Sequence, residues 1–485
     1  MLSTSTLCGG TLLLSMFAVQ AGLAATLCVD PADGDCHATI QSAVDAASPG
    51  DVILIAPHPD AIGYRENIII NTPDLTLRGD TVAPTANLLE QSCPEVVLDG
   101  CEAPANSWEA CDSVVVDVTA ANASIERIVL RHGQIQFGVG AEGSALREAC
   151  IVGNVNRAIT SAVEVDEWGN TDYTNPVHNL TVEDSVFQGG RSHSIRLLGN
   201  NSEIRNNQFY AIDNGVRIDG NGTQFTGNTM RVCNDDCVDL NGDNTVADGN
   251  RLIGGDDGLY IRGNNPTVTN NIVEHMADRN IDVRCSDPCI GGLVKGNRVI
   301  SNVDDDELII VSGDGISGAV SFVIEDNFLV LASERGLQFY GQNSIIRRNT
   351  IHRSGTESLS EACLYVSGPG ANLIEDNVLN LCSFNGILQD EGINNTYRNN
   401  VVTGSGRAGI LIRTYSENTV LEGNQVSGSH GEGIANHGTN TSLVDNVLSR
   451  NRIDICNEGT IGSFSGNQFD TGGTETDCEV ELVDL

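Results

Sequence analysis

A six-residue phrase, apolar–x–x–Asn–x–apolar, returns along most of this chain and leaves few ways to fold it. It reads IRNNQF at 204–209, FTGNTM at 225–230, VTNNIV at 268–273, IEDNFL at 324–329 and LVDNVL at 444–449. Its asparagines fall at Asn207, Asn228, Asn250, Asn271, Asn297, Asn327, Asn349, Asn377, Asn400, Asn424, Asn446 and Asn467. Most intervals are 21 to 24 residues, so the longer ones mark insertions within single repeats. Ser185, Ala149 and Ile128 occupy the same slot upstream. Eight or nine residues after most of the asparagines comes a second phrase, a small residue followed by apolar–x–apolar, as in GVRI (215–218), GLYI (258–261) and GILI (409–412). Apolar residues at period two over so short a run specify strands. Several short strands per repeat make one coil of a solenoid, and a coil buries its apolar face only by stacking on the next. Asparagine suits the turn because it tolerates left-handed backbone and its amide can bond the same amide one coil away.

The fold class expected is therefore all-β, a parallel β-helix with an N-terminal capping helix. At about 4.8 Å per coil the rod is roughly 80 Å long. Stacked strands leave open edges at both ends, and these need covers. Ile40, Ala43, Val44 and Ala47 recur at helical spacing, with Thr39 as cap and Ser48-Pro49-Gly50 as stop. Residues 26–60 are read as the amino-terminal cap and first strand, 470–485 as the carboxy-terminal cap, and 26–485 as one domain.

These repeats, with the amino-terminal wording ATIQSAVDAASPGDVILIAP, resemble the pectate-lyase-like superfamily of right-handed parallel β-helices over roughly residues 28 to 470. The resemblance implies the handedness of the coil. It does not single out a reaction, since the superfamily holds polysaccharide lyases, hydrolases, epimerases and non-catalytic proteins. IDNGV (212–216) and NDDCV (234–238) look like the two acidic motifs of polygalacturonases. Here Asp213 precedes Asn214, reversing the order of the first motif, and the later Gly-His-Gly and Arg-Ile-Lys motifs are absent.

The first 25 residues carry no charge and include the apolar run from Leu12 to Val19, followed by small residues to Ala25. That reads as a signal peptide over 1–25, without the usual basic start, and places the protein outside the cytoplasm, either extracellular or periplasmic. The 14 cysteines after Cys8 suit disulfides in an oxidising compartment. The local pairs are Cys28 with Cys36, Cys93 with Cys101, Cys233 with Cys237, Cys285 with Cys289, Cys363 with Cys382 and Cys456 with Cys478. Cys111 and Cys150 are left over, and the spacing leaves the pairing among Cys93, Cys101, Cys111 and Cys150 open. A formal charge of −39, from 65 acidic and 26 basic residues, excludes nucleic acid and anionic membrane as partners. No later segment is apolar enough to span a membrane, and a monomer is expected.

In the strands of the second phrase the residue between the two apolar ones points outward. Reading it coil by coil gives Gln136, Glu164, Arg196, Arg217, Asp239, Tyr260, Asp282, Ile309, Gln338, Tyr365 and Leu388. His193, Asp213, Asp235, Asp236, Asp256, Asp257, Asp278 and Arg279 precede these strands, and Asp219, Asn241, Arg262 and Arg284 follow them. Carboxylates, guanidinium groups and a tyrosine thus share one face between about 190 and 310. Paired carboxylates on a sugar chain serve as acid and base in glycoside hydrolysis. With an arginine as base beside Ca²⁺, they serve a lyase.

The catalytic candidates are Asp235, Asp236, Asp239, Asp256, Asp257 and Arg217. The substrate-binding candidates are His193, Arg196, Tyr260 and Arg262, joined by Trp168 and Tyr173 on an inserted loop near Arg196. Asp213, Asp235 and Asp257 are the candidates for Ca²⁺, the one cofactor the residues suggest. The function expected is a secreted carbohydrate-active protein, a polysaccharide lyase or glycoside hydrolase. Its rivals are a non-catalytic surface or matrix protein that binds glycans or cations, and a structural spacer. A chain with 65 acidic residues also stacks some by chance, and Asp-Asp-Gly is in any case a favourable turn sequence.

Overall fold

A computed structural model describes residues 24–475, apart from 61, 82–92, 101–113, 154–158, 162–163, 166–170, 173–175, 190–191, 302–306, 314–317, 355–360 and 471–473. The chain winds as a right-handed parallel β-solenoid of about 17 turns. Each coil contributes a strand to each of three sheets. Around Asn228 these are Gln224–Thr226, Thr229–Cys233 and Val238–Asn241. The first sheet has 18 strands and the second 16. The third climbs strand by strand from Ile68–Ile70 to Thr474–Glu475, each pairing in parallel with the strand one coil on. Inward residues such as Ile204, Phe209, Val216 and Ile218 are almost wholly buried and join one core running the length of the rod.

The corner between the first and second sheets is built by the asparagines. Asn228 donates its side-chain amide to the Ile204 carbonyl (2.9 Å) and to Asn250 Oδ1 (3.1 Å), while its backbone N–H donates to the same Oδ1 (2.9 Å). The pattern repeats to Asn467, so each buried amide satisfies groups on both neighbouring coils. Ser185 and Ala149 stand in the same slot, as expected: the Ala149 N–H donates to Ser185 Oγ, and that of Ser185 to Asn207 Oδ1. One part of the expectation is corrected. Left-handed backbone falls on the preceding residue, such as Asn206 (φ 56°), Asp326 (φ 59°) or Gly423 (φ 63°), and not on the ladder asparagine. Asparagine is required here for its amide.

The amino-terminal cover is the helix Ile40–Ala46, with Thr39 accepting from the Ser42 N–H and Ile40, Ala43 and Val44 buried against the first coils. The proposed carboxy-terminal cover and the signal segment lie almost wholly outside the described residues. Disulfides join Cys28–Cys36, Cys233–Cys237, Cys285–Cys289 and Cys363–Cys382, as the spacing predicts. Cys93 instead pairs with Cys150, 57 residues away, and not with Cys101. Cys150 leads a strand whose register in the second sheet runs through Val129 to Val97, four residues past Cys93, so stacking makes distant residues neighbours. Cys456 is disulfide-bonded; Cys101, Cys111 and Cys478 lie outside the described residues.

The outer column of the first sheet alternates basic and acidic side chains, six of the 26 basic residues among them. Its register runs Arg78–Glu126–Arg147–Glu183–Arg205 and, farther on, Lys295–Glu325–Arg347–Glu375–Arg398–Glu422. The charges alternate, and neighbours pair: Arg78 with Glu126 at 2.6 Å, and Lys295 and Arg347 with Glu325 at 2.7 Å each.

Candidate active face on the third sheet

Three columns of side chains cover the outer face of the third sheet. The strand column runs Gln136, Thr160, Arg196, Arg217, Asp239, Tyr260, Asp282, Ile310, Gln338, Tyr365 and Leu388. Two expected members change. Glu164 belongs to a small antiparallel pair with Asp172, and Thr160 takes its place in the register. Ile309 points into the core and Ile310 outward, because the insertion in that coil shifts the count by one and a one-residue slip exchanges the faces. Trp168 and Tyr173 lie outside the described residues. Two residues farther along each strand a parallel column runs Leu198, Asp219, Asn241, Arg262 and Arg284.

The third column lies at the corner before the strands. Backbone hydrogen bonds between successive coils line up His193, Asn214, Asp236, Asp257, Arg279, Glu307 and Arg335. Asp213, Asp235, Asp256 and Asp278 are the residues just before four of these. Of the candidates at this corner, Asp235 and Asp256 are exposed, and Asp235 accepts from the Asn214 amide at 3.0 Å. Among the described residues no three His, Cys, Asp or Glu side chains are arranged to hold a metal ion, so the geometry adds nothing to the Ca²⁺ expectation for Asp213, Asp235 and Asp257.

Most charges on this face are committed. Arg217 reaches Asp239 (3.3 Å) and Asp219 (3.4 Å), and Arg196, itself buried, lies 3.5 Å from Asp219. Asn241 donates to Asp239 (2.7 Å) and Asp219 (3.0 Å). Asp282 is 1% exposed although it points away from the core; Arg284 closes over it at 2.7 Å and Arg279 lies 3.7 Å away. Tyr260 lies between Arg262 and Arg284, each guanidinium carbon 5.4 Å from the ring centroid, and Arg262 donates to its hydroxyl. Burial pushes the carboxyls of Asp239 and Asp282 above the usual range against the pull of these arginines.

Asp236 and Asp257 break the pattern of opposite charges. They succeed each other in the corner column, close enough for the charge of Asp257 to act on Asp236. Burial, then the charge of Asp257, pushes Asp236 up to about 6. A carboxyl raised in this way by burial and a neighbouring charge suits acid–base work. Arg279 holds Asp257 in place, its backbone N–H donating to Oδ1 (2.9 Å) and its guanidinium lying 3.9 Å from Oδ2.

A second constellation on this face was missed from the sequence. Glu307, Glu334 and Arg335 meet at the corner; Arg335 lies 3.2 Å from Glu307 and 3.4 Å from Glu361, and stacks over Tyr365 at 4.4 Å. Tyr365 donates to Asp390 (2.8 Å), which Arg413 also reaches (2.6 Å). Burial, then the charge of Glu334, pushes Glu307 up to about 7. Beyond it the face turns apolar, with Leu388, Leu411 and Ala435 buried together.

The sequence matches the right-handed β-helix region family over residues 173–329 and 335–481. No curated protein matches it. Among solved structures, it is similar to the alginate lyase AlyGC of polysaccharide lyase family 6 (12% identity, 92% of this chain and 80% of that one, TM-score 0.41). It is also similar to a mannuronic-acid-specific family 6 lyase from human gut microbiota (11%, 88% and 86%, 0.39). A third is the A-module of the mannuronan C-5 epimerase AlgE6 from Azotobacter vinelandii (14%, 90% and 95%, 0.33). With coils, handedness and family match in agreement, the chain belongs to the right-handed β-helix family.

Proposed function

We propose that the protein is a secreted carbohydrate-active enzyme that holds a polysaccharide along the third sheet and cleaves it, as a glycoside hydrolase or a lyase. The observation that carries this reading is the placing of Asp236 and Asp257 on successive coils of the corner column, set in a face of arginines and one tyrosine. A single buried carboxyl needs only neutralisation, whereas two on successive coils cost stability, a strain typical of sites that do chemistry. In this reading Asp236 carries the mobile proton, with Asp235, Asp256 and Asp239 around it. Arg217 and Arg262 hold substrate oxygens, and Tyr260 offers a ring edge to the sugar. His193 and Arg196 extend the face by one coil beyond Arg217. The disulfides suit an oxidising compartment and support secretion.

The test is turnover of a panel of neutral and uronate polysaccharides, reading reducing ends and the ultraviolet absorbance of unsaturated products together. Wild-type turnover that falls at least about 100-fold in Asp236→Asn and in Asp257→Asn supports the assignment. Full activity in both variants rejects it. The ion pairing of Arg217, Arg279 and Arg284 favours one second reading, a non-catalytic glycan-binding face. Binding on a glycan array with no turnover selects that reading.

A further inference from the structure

Arg262 stands apart from the other arginines described on or beside the third sheet. Arg196, Arg217, Arg279, Arg284, Arg335 and Arg413 each pair with a carboxylate at between 2.6 and 3.5 Å. Arg262 is exposed and, among the described residues, makes no ion pair. Its side chain is nevertheless held in place. It donates to the Tyr260 hydroxyl, and its guanidinium carbon lies 5.4 Å from the centre of the Tyr260 ring. Arg284, the in-register partner of Arg262 on the next coil, lies 5.4 Å from the same ring. Two guanidinium groups thus stand side by side, where the first sheet alternates charges. On the coil before, the register sets the neutral Asn241 beside Arg262. Asp282 takes up the charge of Arg284 at 2.7 Å, and that of Arg262 is left over. Like charges opposite each other in a sheet cost stability, and an anion bound between them removes that cost.

We propose, resting on the reading that the third sheet holds polysaccharide, that Arg262 is the specificity-determining residue of this face and binds an anionic group of the sugar chain, a carboxylate or a sulfate ester. A planar guanidinium fork meets either group with two parallel hydrogen bonds. Tyr260 is the positioning residue: its ring and hydroxyl hold the fork before the substrate arrives, which cuts the entropy lost on binding. Charge decides between an acidic and a neutral polymer. With 65 acidic residues against 26 basic ones, the molecule as a whole repels an acidic chain. At about 0.15 M salt that field is screened beyond about 8 Å, whereas a contact at Arg262 is not. The acidic corner with Asp236 and Asp257 lies beyond the opposite end of the strand Leu259–Arg262, so an anionic group on Arg262 is held clear of it.

The experiment measures dissociation constants by titration calorimetry at about 0.15 M salt. The probes are polygalacturonate and glucuronan, each beside its carboxyl-reduced form, and dextran sulfate beside dextran. Wild type is expected to bind an acidic probe at least about 10-fold more tightly than its neutral counterpart. A uronate preferred over its reduced form assigns a carboxylate, and dextran sulfate preferred over dextran assigns a sulfate ester. Arg262→Gln is expected to abolish the preference by weakening the acidic probe alone, with its circular dichroism unchanged. Arg262→Lys is expected to restore part of it, because the charge returns without the fork. Tyr260→Phe is expected to weaken the acidic probe and leave the neutral one unchanged. Arg348→Gln removes the same charge from beside the first sheet and is expected to leave every constant within about twofold of wild type. An acidic preference that survives in Arg262→Gln, or that falls equally in Arg348→Gln, overturns the proposal while leaving a polysaccharide-binding face intact. A wild type that binds neutral polysaccharide as tightly as acidic does the same. A wild type that binds neither these probes nor any polysaccharide of the panel above overturns both readings.

Discussion

Asp236 and Asp257 occupy successive coils of one column, and the charge of Asp257 adds to burial in raising the Asp236 carboxyl. The unfolded chain releases the Asp236 proton near 3.8, whereas the fold keeps it to about 6. The stability this linkage contributes is present below the unfolded value and is lost as pH rises through about 6. Glu307, moved from 4.5 to about 7, adds a contribution of the same sign in a slightly higher window. Urea midpoints of the wild type are therefore predicted to fall between about pH 4 and 7. Asp236→Asn flattens the lower part of that fall and Glu307→Gln the upper part.

The first sheet predicts the opposite slope at low pH. Glu325, 5% exposed, takes Lys295, Arg347 and Arg348 at 2.7 Å each, and its bond to Lys295, with those to the arginines, holds its carboxyl down to about 2. That stabilisation is present above the unfolded value of 4.5 and is lost as pH falls through about 2. Glu325→Ala is predicted to cost about 2 kcal/mol at neutral pH by chemical denaturation, since its partners are half-exposed, and to cost much less at pH 2.

The asparagine slot is a test of mechanism as well as of stability. Asn377 accepts at Oδ1 from both the backbone and the side chain of Asn349 and donates to the Ile346 carbonyl, all buried. Asn377→Ala leaves these groups unpaired and is predicted to cost about 2 kcal/mol. Asn377→Ser costs roughly half as much, because Ser185 already bonds the neighbouring coil from the same slot.

The Cys93–Cys150 bridge closes a loop of 57 residues. Chain entropy alone gives such a bridge about 4 kcal/mol. Cys150→Ser is predicted to lower the melting temperature clearly, and a non-reducing digest is predicted to show a peptide linking Cys93 to Cys150. A peptide linking Cys93 to Cys101 instead would contradict the described register.

Within a coil, the sequence was a sufficient guide. The spacing of Asn207 to Asn467, the period-two strands and the Thr39 cap are local patterns, and each stands where the pattern placed it. What failed was reckoning between coils. Glu164 lies within the extra segment between Thr160 and Arg196, and the insertion before Ile309 resets the count, so the first residue is off the sheet and the second turns inward. Cys93 and Cys150 share no local pattern, and neither do Arg147 and Glu183, 36 residues apart, although both pairs are in contact. Of the candidate face, Arg196 to Arg284 were legible because five successive coils there carry no long insertion. Glu307 and Arg335 were hidden because their column neighbours lie 28 residues apart, beyond the ordinary period.

The account rests on the third sheet being the face that holds polysaccharide, and locating a bound chain tests it most directly. Crystals of Asp236→Asn soaked with an oligosaccharide of the polymer that the wild type degrades are predicted to show sugar rings across the rows of Arg217, Tyr260 and Arg284, in contact with Asp257. Sugar bound on the first or second sheet, with the third sheet bare, would contradict the account.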